Sequence, residues 1–437
     1  MRRSRLHLAL LVLAGLAACG PGGSARSPNI VLVIGDDHGY PDSGFMGSLV
    51  VRTPNLDRLA EEGTVFRNGY STASICRPML RSLLTGLHPL QWNARVDRLE
   101  REGVQRSPAE RILDFITLPR LLAGRGYASF QGGKFWEGTY ALAGFDEGMQ
   151  LHGDGVNDSG DGTPLGRETL EPVLRFLDAH AGRPFFLWFA PALPHIPHDA
   201  PEEYRRPYLE RGLALSAVAY YANVTRLDAV VGALRAELEE RKLLDDTLLV
   251  YLSDNGWDQL PDVERIDLLF DGPRGKGTLY DLGFRTPIVL RWPGFVPAGV
   301  VRDELVSAVD LFPTFLDYAG IPVPPNSPGH SLRPILEGEG RWPREAVVEA
   351  MTGVRGGVGP YEPRPERGWF VRRDRWHYLW YEHAGEELYD VVADPREQRD
   401  LSREKKALAA RFRHEIQLWR RNATAPFASG GAERGGR

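Results

Sequence analysis

An unbroken apolar segment near the start of the chain, Ile30–Ile34, constrains the fold more than any other feature, and two adjacent carboxylates follow it at Asp36 and Asp37. Such a run is typical of a strand buried on both faces, as found inside parallel sheets. Open α/β sheets place their chemistry just outside the carboxyl ends of strands. Neighbouring carboxylates there repel each other unless a cation lies between them. The segment therefore predicts a divalent metal site at a strand end.

A second apolar segment, Thr247–Ser253, ends in the same way, with Asp254 and Asn255. Three carboxylates and one amide oxygen suit Ca²⁺ or Mg²⁺ and not a softer metal. The alternative is that each aspartate caps a helix or closes a turn. A single strand-end aspartate favours that alternative, whereas two pairs at two strand ends favour a metal site.

The first eighteen residues have the composition of a secretion signal and are predicted to lie outside the fold. Three arginines within the first five residues precede the apolar stretch Leu6–Ala18, which is too short to span a membrane. Leu16-Ala17-Ala18-Cys19 matches the bacterial lipoprotein box, which predicts cleavage before Cys19 and a lipid anchor on its sulfur. The alternative is a plain signal peptide that ends at Ala18. The sequence thus predicts an exported bacterial lipoprotein, membrane-anchored in the periplasm or at the cell surface.

Alternating strand and helix patterns predict an α/β fold, with a large, mainly parallel sheet sandwiched by helices. After about Arg341 the pattern changes and predicts a smaller C-terminal α+β subdomain that carries an antiparallel sheet. The predicted divisions are a signal peptide (1–18), a flexible tether (19–28), a catalytic domain (29–340), the C-terminal subdomain (341–422) and a disordered tail (423–437). The predicted helices include 118–124, 167–179, 214–242 and 405–420, and the predicted strands include 126–131, 184–189, 288–291, 346–350, 368–372 and 376–381.

The charge balance gives no indication of a nucleic-acid partner or an anionic membrane surface. Removal of the signal takes three arginines and no acid from the chain, so the formal net charge moves from −5 to −8.

One cysteine, Cys76, remains if Cys19 is lipidated, and it then has no partner for an internal disulfide. Pro78 suits the first turn of a helix and Gly86 a helix end, so Cys76 is predicted to lie at or just before a helix N-terminus. The partial positive charge there favours an anionic nucleophile, and Arg77 and Arg81 add to it. The alternative is a buried structural cysteine.

A series of short motifs, spread from Asn29 to about Ser402, resembles the type I (formylglycine-dependent) sulfatases of the alkaline-phosphatase-like superfamily. In chain order these motifs are Thr53–Ala60, Cys76-Arg77-Pro78 closed by Leu84-Thr85-Gly86, Gly133-Lys134, Pro194–Pro197, Ser253–Gly256, Lys276 with Tyr280–Pro287, Arg291–Gly294, Asp310–Thr314, and Glu387–Asp390 with Asp394-Pro395. Each motif alone is weak, but their shared order over most of the mature chain is specific.

The resemblance implies a mechanism centred on Cys76. A formylglycine-generating maturation enzyme oxidises the cysteine, and one hydroxyl of the hydrated aldehyde, activated by the metal, attacks the sulfur of a sulfate ester. The alcohol leaves, and the second hydroxyl then expels sulfate and regenerates the aldehyde. The resemblance also implies one divalent cation, Ca²⁺ in preference to Mg²⁺. Its implied ligands are Asp36, Asp37, Asp254, Asn255 and the modified Cys76.

Three cationic residues match family positions that hold sulfate oxygens or assist the leaving group: Lys134, His195 and Lys276. The alternative is a solvated surface charge for each lysine and an ordinary loop residue for the histidine. Their places in the ordered series of motifs favour function.

The chain departs from the family four residues after the cysteine, where the usual arginine is Leu80 and Arg81 follows it. One residue is about 100° of helix rotation, so Arg81 starts from a different face. It is either a substrate-binding residue that bends back or a surface or structural one. Because the family's arginine aids maturation and contacts the formylglycine, both the conversion of Cys76 and ordinary turnover are open to question.

A second departure is Trp136, which stands where the family's Gly-Lys-x-His has a histidine. An indole donates a hydrogen bond but accepts no proton. The candidate replacements are His38, His88 and His198, with His38 first, although a structural role is the stronger alternative for it. For four aromatic residues the alternatives are a stacking wall for the substrate and local packing; they are Trp92, Trp136, Trp257 and Tyr361.

The leading functional prediction is a sulfuric ester hydrolase that acts on a sulfate monoester of a carbohydrate or aryl alcohol. Its partner is then a sulfated small molecule or glycan. A phosphonate or phosphate ester hydrolase of the same superfamily is one alternative. A catalytically weakened relative that binds sulfated glycans at the cell surface is another, motivated by Leu80 and Trp136.

Overall fold

The computed structural model describes residues 27–149, 164–258, 274–351 and 367–425. The predicted signal peptide, the lipidation site Cys19, most of the tether, Tyr361 and residues 426–437 of the predicted tail lie outside the described residues. Those predictions stay predictions, as does the domain boundary at residue 340.

The strands of the described chain form one large sheet, a small two-stranded sheet and a four-stranded sheet near the C-terminus. They are β1 (Asn29–Gly35), β2 (Thr64–Phe66), β3 (Gly69–Tyr70), β4 (Ala128–Gly133), β5 (Glu147–Gly148), β6 (Phe185–Ala190), β7 (Thr247–Ser253), β8 (Ile288–Arg291), β9 (Val300–Arg302), β10 (Val306–Ser307), β11 (Ala346–Met351), β12 (Gly368–Arg373), β13 (Trp376–Tyr381) and β14 (Gly385–Asp390).

The helices lie mainly on the two faces of the large sheet. They are α1 (Pro54–Glu61), α2 (Cys76–Thr85), α3 (Pro89–Arg101), α4 (Leu118–Ala123), α5 (Tyr140–Ala143), α6 (Glu171–His180), α7 (Glu202–Leu209), α8 (Leu215–Glu240), α9 (Asp281–Phe284), α10 (Leu311–Tyr318), α11 (Arg333–Leu336) and α12 (Lys406–Thr424). Within the described ranges, no helix has both the length and the apolar character that crossing a bilayer requires.

The large sheet has the strand order β5-β4-β6-β1-β7-β8-β2-β9. Strand β1 runs parallel to both β6 and β7, and β8 is antiparallel to both of its neighbours. The prediction of a mainly parallel sheet is confirmed. The antiparallel β8 was not predicted, because an apolar strand of four residues carries no signal of its direction.

Alternation along β1 explains why its sequence is apolar throughout. Ile30, Leu32 and Ile34 pack into the core on one face of the sheet, with helices α2, α3, α4 and α10. Val31 and Val33 pack into the core on the other face, with α1, α6 and α8. Since side chains of a strand alternate between faces, a strand covered on both sides needs apolar residues at every position.

The C-terminal sheet is antiparallel in the order β11-β12-β13-β14, as the predicted α+β subdomain requires. Helix α12 covers one face, where Phe412 and Ile416 pack with Trp369. The other face packs on the main sheet region through Phe370 and Tyr70. Strand β14 was not predicted, and α6 begins at Glu171 instead of residue 167.

Candidate active site

The register of β1 and β7 creates the centre of the candidate site. Gly35 pairs with Ser253, so Asp36 and Asp254 leave the sheet side by side at its carboxyl edge. The backbone N–H of Asp37 donates to Asp254 Oδ1 at 3.1 Å. Asp37 has a φ of +65°, a left-handed conformation that is rare outside glycine and costs on the order of 1–3 kcal/mol. This strained backbone conformation directs the two consecutive carboxylates into the same space.

Four side chains converge in this space: Asp36, Asp37, Cys76 and Asp254 are all buried, and their ligand atoms lie within 4.8 Å of one another. Cys76 Sγ is 3.8 Å from Asp36 Oδ1 and 3.9 Å from Asp37 Oδ1. Asn255 joins the group because its Nδ2 donates to Asp37 Oδ1 at 2.7 Å. The structure therefore brings together all five predicted metal ligands.

The oxygen atoms of this cluster fit a hard divalent cation. Asp36 Oδ2, Asp254 Oδ2 and Asn255 Oδ1 are buried and accept no hydrogen bond from any described residue. Buried polar atoms without partners are rare and costly. Carboxylate and amide oxygens are the usual ligands of Ca²⁺ and Mg²⁺. Their role as metal ligands stays a prediction.

Cys76 is the first residue of α2, as predicted, and is 7% exposed. Gly86 follows the last residue of α2, and its φ of +68° is the left-handed conformation that favours glycine at a helix end. Burial and the carboxylates of Asp254 and Asp37 raise the pKa of the thiol well above its usual range, although Lys134 and Lys276 oppose them. The structure thus places Cys76 at the predicted helix N-terminus, and the expectation that this position favours an anionic nucleophile stays a prediction.

Lys134 reaches the cluster from the loop after β4. Its Nζ lies 2.5 Å from Asp36 Oδ1 and 3.7 Å from Asp254 Oδ2. The preceding Gly133 has a φ of +83°, and a Cβ there would lie 2.1 Å from the carbonyl oxygen of Ala190. Glycine is thus required for the close backbone approach that directs Lys134 into the site.

Lys276 and His195 contact the second carboxylate. Lys276 Nζ lies 2.8 Å from both oxygens of Asp37, and the N–H of Gly277 donates to the carbonyl of Ser74. His195 Nε2 is 3.6 Å from Asp37 Oδ2. Because a carbonyl only accepts, His195 Nδ1 donates to the carbonyl oxygen of Ile196 at 2.8 Å, which leaves Nε2 available for other contacts.

The electrostatics of the cluster are those of an anionic centre held by lysines. Burial opposes ionisation of Asp37, but Lys276, His195 and Lys134 outweigh it and lower the pKa of that carboxyl to about 2. Burial and the charge of Asp36 raise the pKa of Asp254 to about 7. The nearby carboxylates outweigh burial and hold the pKa of both lysines well above its usual range. A divalent cation would complete the charge balance around Asp254.

Comparison with known proteins identifies the family. The sequence profile of the sulfatase family matches residues 28–321, and the profile of the C-terminal part of N-sulphoglucosamine sulphohydrolases matches residues 270–422. The chain belongs to the sulfatase family. Human arylsulfatase A is 31% identical to this sulfatase over 441 aligned residues, which cover 89% of this chain and 80% of the relative. The dog N-acetylgalactosamine-6-sulfatase is 31% identical over 363 residues, which cover 72% and 66%.

Solved structures confirm the predicted fold of this sulfatase. The crystal structure of Ps i-CgsB superposes with a TM-score of 0.73 at 26% identity, covering 91% of this chain and 94% of that one. The phosphonate monoester hydrolase of Agrobacterium radiobacter superposes with a TM-score of 0.67 at 20% identity, which shows a shared fold alone. The prediction that the protein is an enzyme of the sulfatase class is confirmed by its family and relatives.

Arg81, predicted as a substrate-binding residue if it bends back, points elsewhere in this sulfatase. Its Nε donates to Glu137 Oε1 at 2.7 Å, and its guanidinium lies 4.8 Å from the centre of the Trp92 ring. Arg77 Nε donates to the same oxygen at 3.0 Å. The structure therefore does not bring Arg81 to Cys76, and it favours the structural alternative.

Leu80, which replaces the family's arginine, is 3% exposed and packs in the core beneath the sheet. An arginine here would bury a cation among apolar side chains. Glu137, which is buried and holds Arg77 and Arg81, was missed from the sequence. In the sequence, Glu137 is an acidic residue directly after Trp136, and its spacing gives no indication that it pairs with the arginines of α2.

The three histidines proposed to replace the family's histidine lie in different surroundings. His38 Nε2 donates to the carbonyl of Asp42 at 2.7 Å and His38 Nδ1 accepts from the Tyr251 hydroxyl, so its ring is occupied structurally. His88 pairs with buried Glu349 at 2.9 Å. Burial lowers the pKa of His198 to about 4, while the charge of nearby Asp37 opposes this shift and that of His195 adds to it.

The tryptophans also differ. Trp92 stacks on Phe115 with ring centres 3.7 Å apart, which is local packing. Trp257 is partly exposed, and its carbonyl accepts from the N–H of Lys276 at 3.0 Å. Trp136 is 8% exposed, and Lys134 Nζ lies 5.9 Å from its ring centre. Its indole N–H is buried and donates to no described acceptor, so a donor stands beside the predicted sulfate-binding lysine.

Proposed function

We propose that this sulfatase hydrolyses a sulfate monoester of a carbohydrate or aryl alcohol, using a formylglycine derived from Cys76 and one divalent cation, Ca²⁺ in preference to Mg²⁺. The observation that carries the proposal is the position of Cys76 Sγ, less than 4 Å from two carboxylates of a buried oxygen cluster. Lysines from two other segments reach the same cluster.

The proposed ligands of the cation are Asp36, Asp37, Asp254 and Asn255, with residue 76 completing the set. When bound, the cation would neutralise charge on the transferring group and lower the pKa of an oxygen bound to it. The three buried oxygens without donors support this assignment. The family generally uses a metal ion and formylglycine. A formylglycine at position 76 would supply a nucleophilic hydroxyl.

Lys134 and Lys276 are proposed to hold the sulfate oxygens of the substrate. Both are charged and fixed by carboxylates before substrate binds, so little reorganisation is needed to stabilise a transferring anion. His195 is proposed to assist the leaving alcohol. Its Nδ1 is committed to a backbone carbonyl, which fixes the ring and leaves Nε2 to hold or release a proton.

The relatives support a carbohydrate or aryl substrate. The names of two relatives refer to aryl sulfates and to sulfated N-acetylgalactosamine, and Ps i-CgsB was crystallised with k-i-k-neocarrahexaose. Human N-sulphoglucosamine sulphohydrolase is 29% identical over 76% of this chain. Each of these relatives is named for an aryl or sugar sulfate or was crystallised with an oligosaccharide.

Intact-mass analysis and an aryl sulfate assay on the same preparation test the proposal. We expect residue 76 to be lighter than cysteine by about 18 Da when the chain is produced with a formylglycine-generating enzyme. We also expect hydrolysis of 4-nitrophenyl sulfate to rise with the converted fraction and to exceed hydrolysis of an aryl phosphodiester. The matched control is Cys76→Ala, which keeps the fold and removes the modified side chain. A fully converted, metal-loaded protein that leaves both aryl and sugar sulfates intact would overturn the proposal.

We further propose that the mature protein is an exported lipoprotein anchored through Cys19, from the signal and lipoprotein box in its sequence. Expression in a bacterial host should place it in the membrane fraction, and Cys19→Ala should release it or leave it unprocessed. Equal distribution of both forms in the soluble fraction would contradict the anchor.

A further inference from the structure

A cavity of about 790 Å³ lies between α3, the start of β12 and the end of α12, apart from the cluster around Cys76. Arginines form much of its wall. Its charged residues are Asp97, Arg367, Arg420 and Arg421. Three cations against one acid make this a basic cavity on a chain whose formal net charge is −5.

The guanidinium group of Arg420 is held by stacking on two tryptophan rings. Arg420 lies 4.0 Å from the ring centre of Trp369 and 5.6 Å from that of Trp380. Over the described residues, the side chains of Arg367, Arg420 and Arg421 form no hydrogen bond or ion pair. Burial and the neighbouring charge of Arg367 lower the pKa of Arg420, although Glu382 opposes them. Like charges so placed are stabilised by an anion.

A buried donor accompanies the arginines. Trp369 is 2% exposed, and its indole N–H donates to no acceptor in the described part of the chain. An unsatisfied buried donor costs roughly 1–3 kcal/mol. Because the indole is covered, it supports Arg420 and does not itself contact a ligand in the cavity.

The cavity begins where the C-terminal sheet meets the active-site loop. Gly368, which separates Arg367 from Trp369, lies so close to Leu279 that a Cβ at position 368 would be 2.3 Å from Leu279 Cδ1. Leu279 is three residues after Lys276 in the chain. Both residues are buried, so this contact joins the C-terminal sheet to the segment after Lys276 inside the protein.

We propose that the cavity is a second, non-catalytic binding site for an anionic saccharide, in which Arg367, Arg420 and Arg421 hold a sulfate or carboxylate group. Guanidinium groups match such planar or tetrahedral anions through paired hydrogen bonds. The carbohydrate part of this inference rests on the proposed function. The anion site itself rests on the geometry of the cavity alone.

Calorimetric binding of a heparin-derived hexasaccharide to the full chain carrying Cys76→Ala tests the inference without hydrolysis. The informative variant is Arg367→Gln with Arg421→Gln, since both side chains are exposed and support no ion pair among described residues. The matched control is Arg403→Gln with Arg411→Gln, which removes the same charge from exposed positions outside the cavity. We expect the cavity variant to bind at least about tenfold more weakly and the control within about twofold of the parent.

A second readout separates this proposal from the proposed function. In the mature enzyme, kcat/KM for 4-nitrophenyl sulfate should be unchanged in the cavity variant, because that substrate is too small to reach both sites. Maltohexaose, which has no charge, should not bind the cavity. Equal affinity of the cavity and control variants for the hexasaccharide, or no binding to the parent, would overturn the second site. Loss of aryl sulfate hydrolysis by the parent would overturn only the proposed function.

Discussion

Asn255 donates through Nδ2 to Asp37 Oδ1 at 2.7 Å, while its own Oδ1 is buried without a donor. The amide is thus oriented by one carboxylate, and its oxygen is left to bind a cation. An aspartate at this position could not donate to Asp37. The asparagine therefore serves two purposes, since it limits the charge repulsion in the cluster and supplies a neutral oxygen ligand.

Replacing Asn255 should change metal binding in a way that depends on the substitution. Asn255→Ala removes the oxygen, and we expect the affinity for Ca²⁺ to fall roughly 10- to 100-fold. Asn255→Asp keeps an oxygen but adds repulsion with Asp37, so the metal-free protein should melt at a lower temperature and gain more on addition of Ca²⁺ than the parent does. Calorimetric titration and thermal unfolding with and without Ca²⁺ measure both effects.

The control for this pair is Asn68→Ala, which removes a partly exposed amide that donates to the carbonyl of Asp303, accepts from Arg285 and contacts none of the proposed metal ligands. It should leave the Ca²⁺ affinity unchanged. An Asn255→Ala protein that binds Ca²⁺ as tightly as this control does would remove Asn255 from the proposed ligands.

Divalent cations should stabilise the whole fold, because the cluster joins β1, β7 and α2. We expect Ca²⁺ at 100 times its Kd to add about 2.7 kcal/mol to the free energy of unfolding, and EDTA to abolish the gain. Urea unfolding of the Cys76→Ala and parent proteins in Ca²⁺, Mg²⁺ and EDTA measures it. Identical unfolding curves in all three conditions would argue against a metal site.

Much of the fold and the cluster could be predicted because the relevant signals are local. The apolar runs of β1 and β7 end in acids, and parallel pairing of adjacent strands places those acids at one edge. The position of Cys76 followed from Pro78 and Gly86, which mark the start and end of α2. In these cases residue type and spacing determine the geometry without knowledge of distant contacts.

The surroundings of the cluster could not be predicted, because they depend on contacts between segments far apart in the chain. Glu137 lies 56 residues from Arg81, and their ion pair decides which way the arginine points. The pairing of His88 with Glu349 spans 261 residues. A helical offset indicates the face from which a side chain starts, but a long side chain goes where its partner is.

The contact between Arg81 and Glu137 leads to a prediction about stability. Glu137→Gln leaves Arg77 and Arg81 without their shared carboxylate in a largely buried setting. We expect the free energy of unfolding to fall by about 2–4 kcal/mol. Arg81→Lys should cost less, since a lysine keeps the charge but loses the stacking on Trp92. Urea denaturation measures both.

Kinetics of the same variants decide the role of Arg81. If its function is structural, Arg81→Lys in the mature enzyme should leave KM for 4-nitrophenyl sulfate within about twofold of the parent. Lys276→Arg, which alters a lysine proposed to hold sulfate, should raise KM or lower kcat. A large rise in KM for Arg81→Lys at unchanged stability would instead support the substrate-binding role predicted from sequence.

Asp42 should make stability depend on pH. Burial raises the pKa of its carboxyl to about 7, although a hydrogen bond from the Tyr220 hydroxyl opposes the change. Between the usual value near 4 and about 7, the folded state binds a proton at Asp42 that the unfolded state has released. Its contribution to stability is therefore fully present below about pH 4 and is lost as the pH rises to 7, by at most about 4 kcal/mol.

Asp42→Asn isolates this effect, because an amide keeps an oxygen for the Tyr220 hydroxyl and does not titrate. The free energy of unfolding of the variant, minus that of the parent, should increase as the pH rises from 4 to 7. The neighbouring His38, whose pKa burial lowers to about 4, titrates in the opposite sense, but it is present in both proteins and cancels in the difference. Urea unfolding at pH 4.5, 5.5, 6.5 and 7.5 gives the slope. A difference that is constant over this range would mean that Asp42 is ionised in the folded protein throughout, with a partner that satisfies its charge.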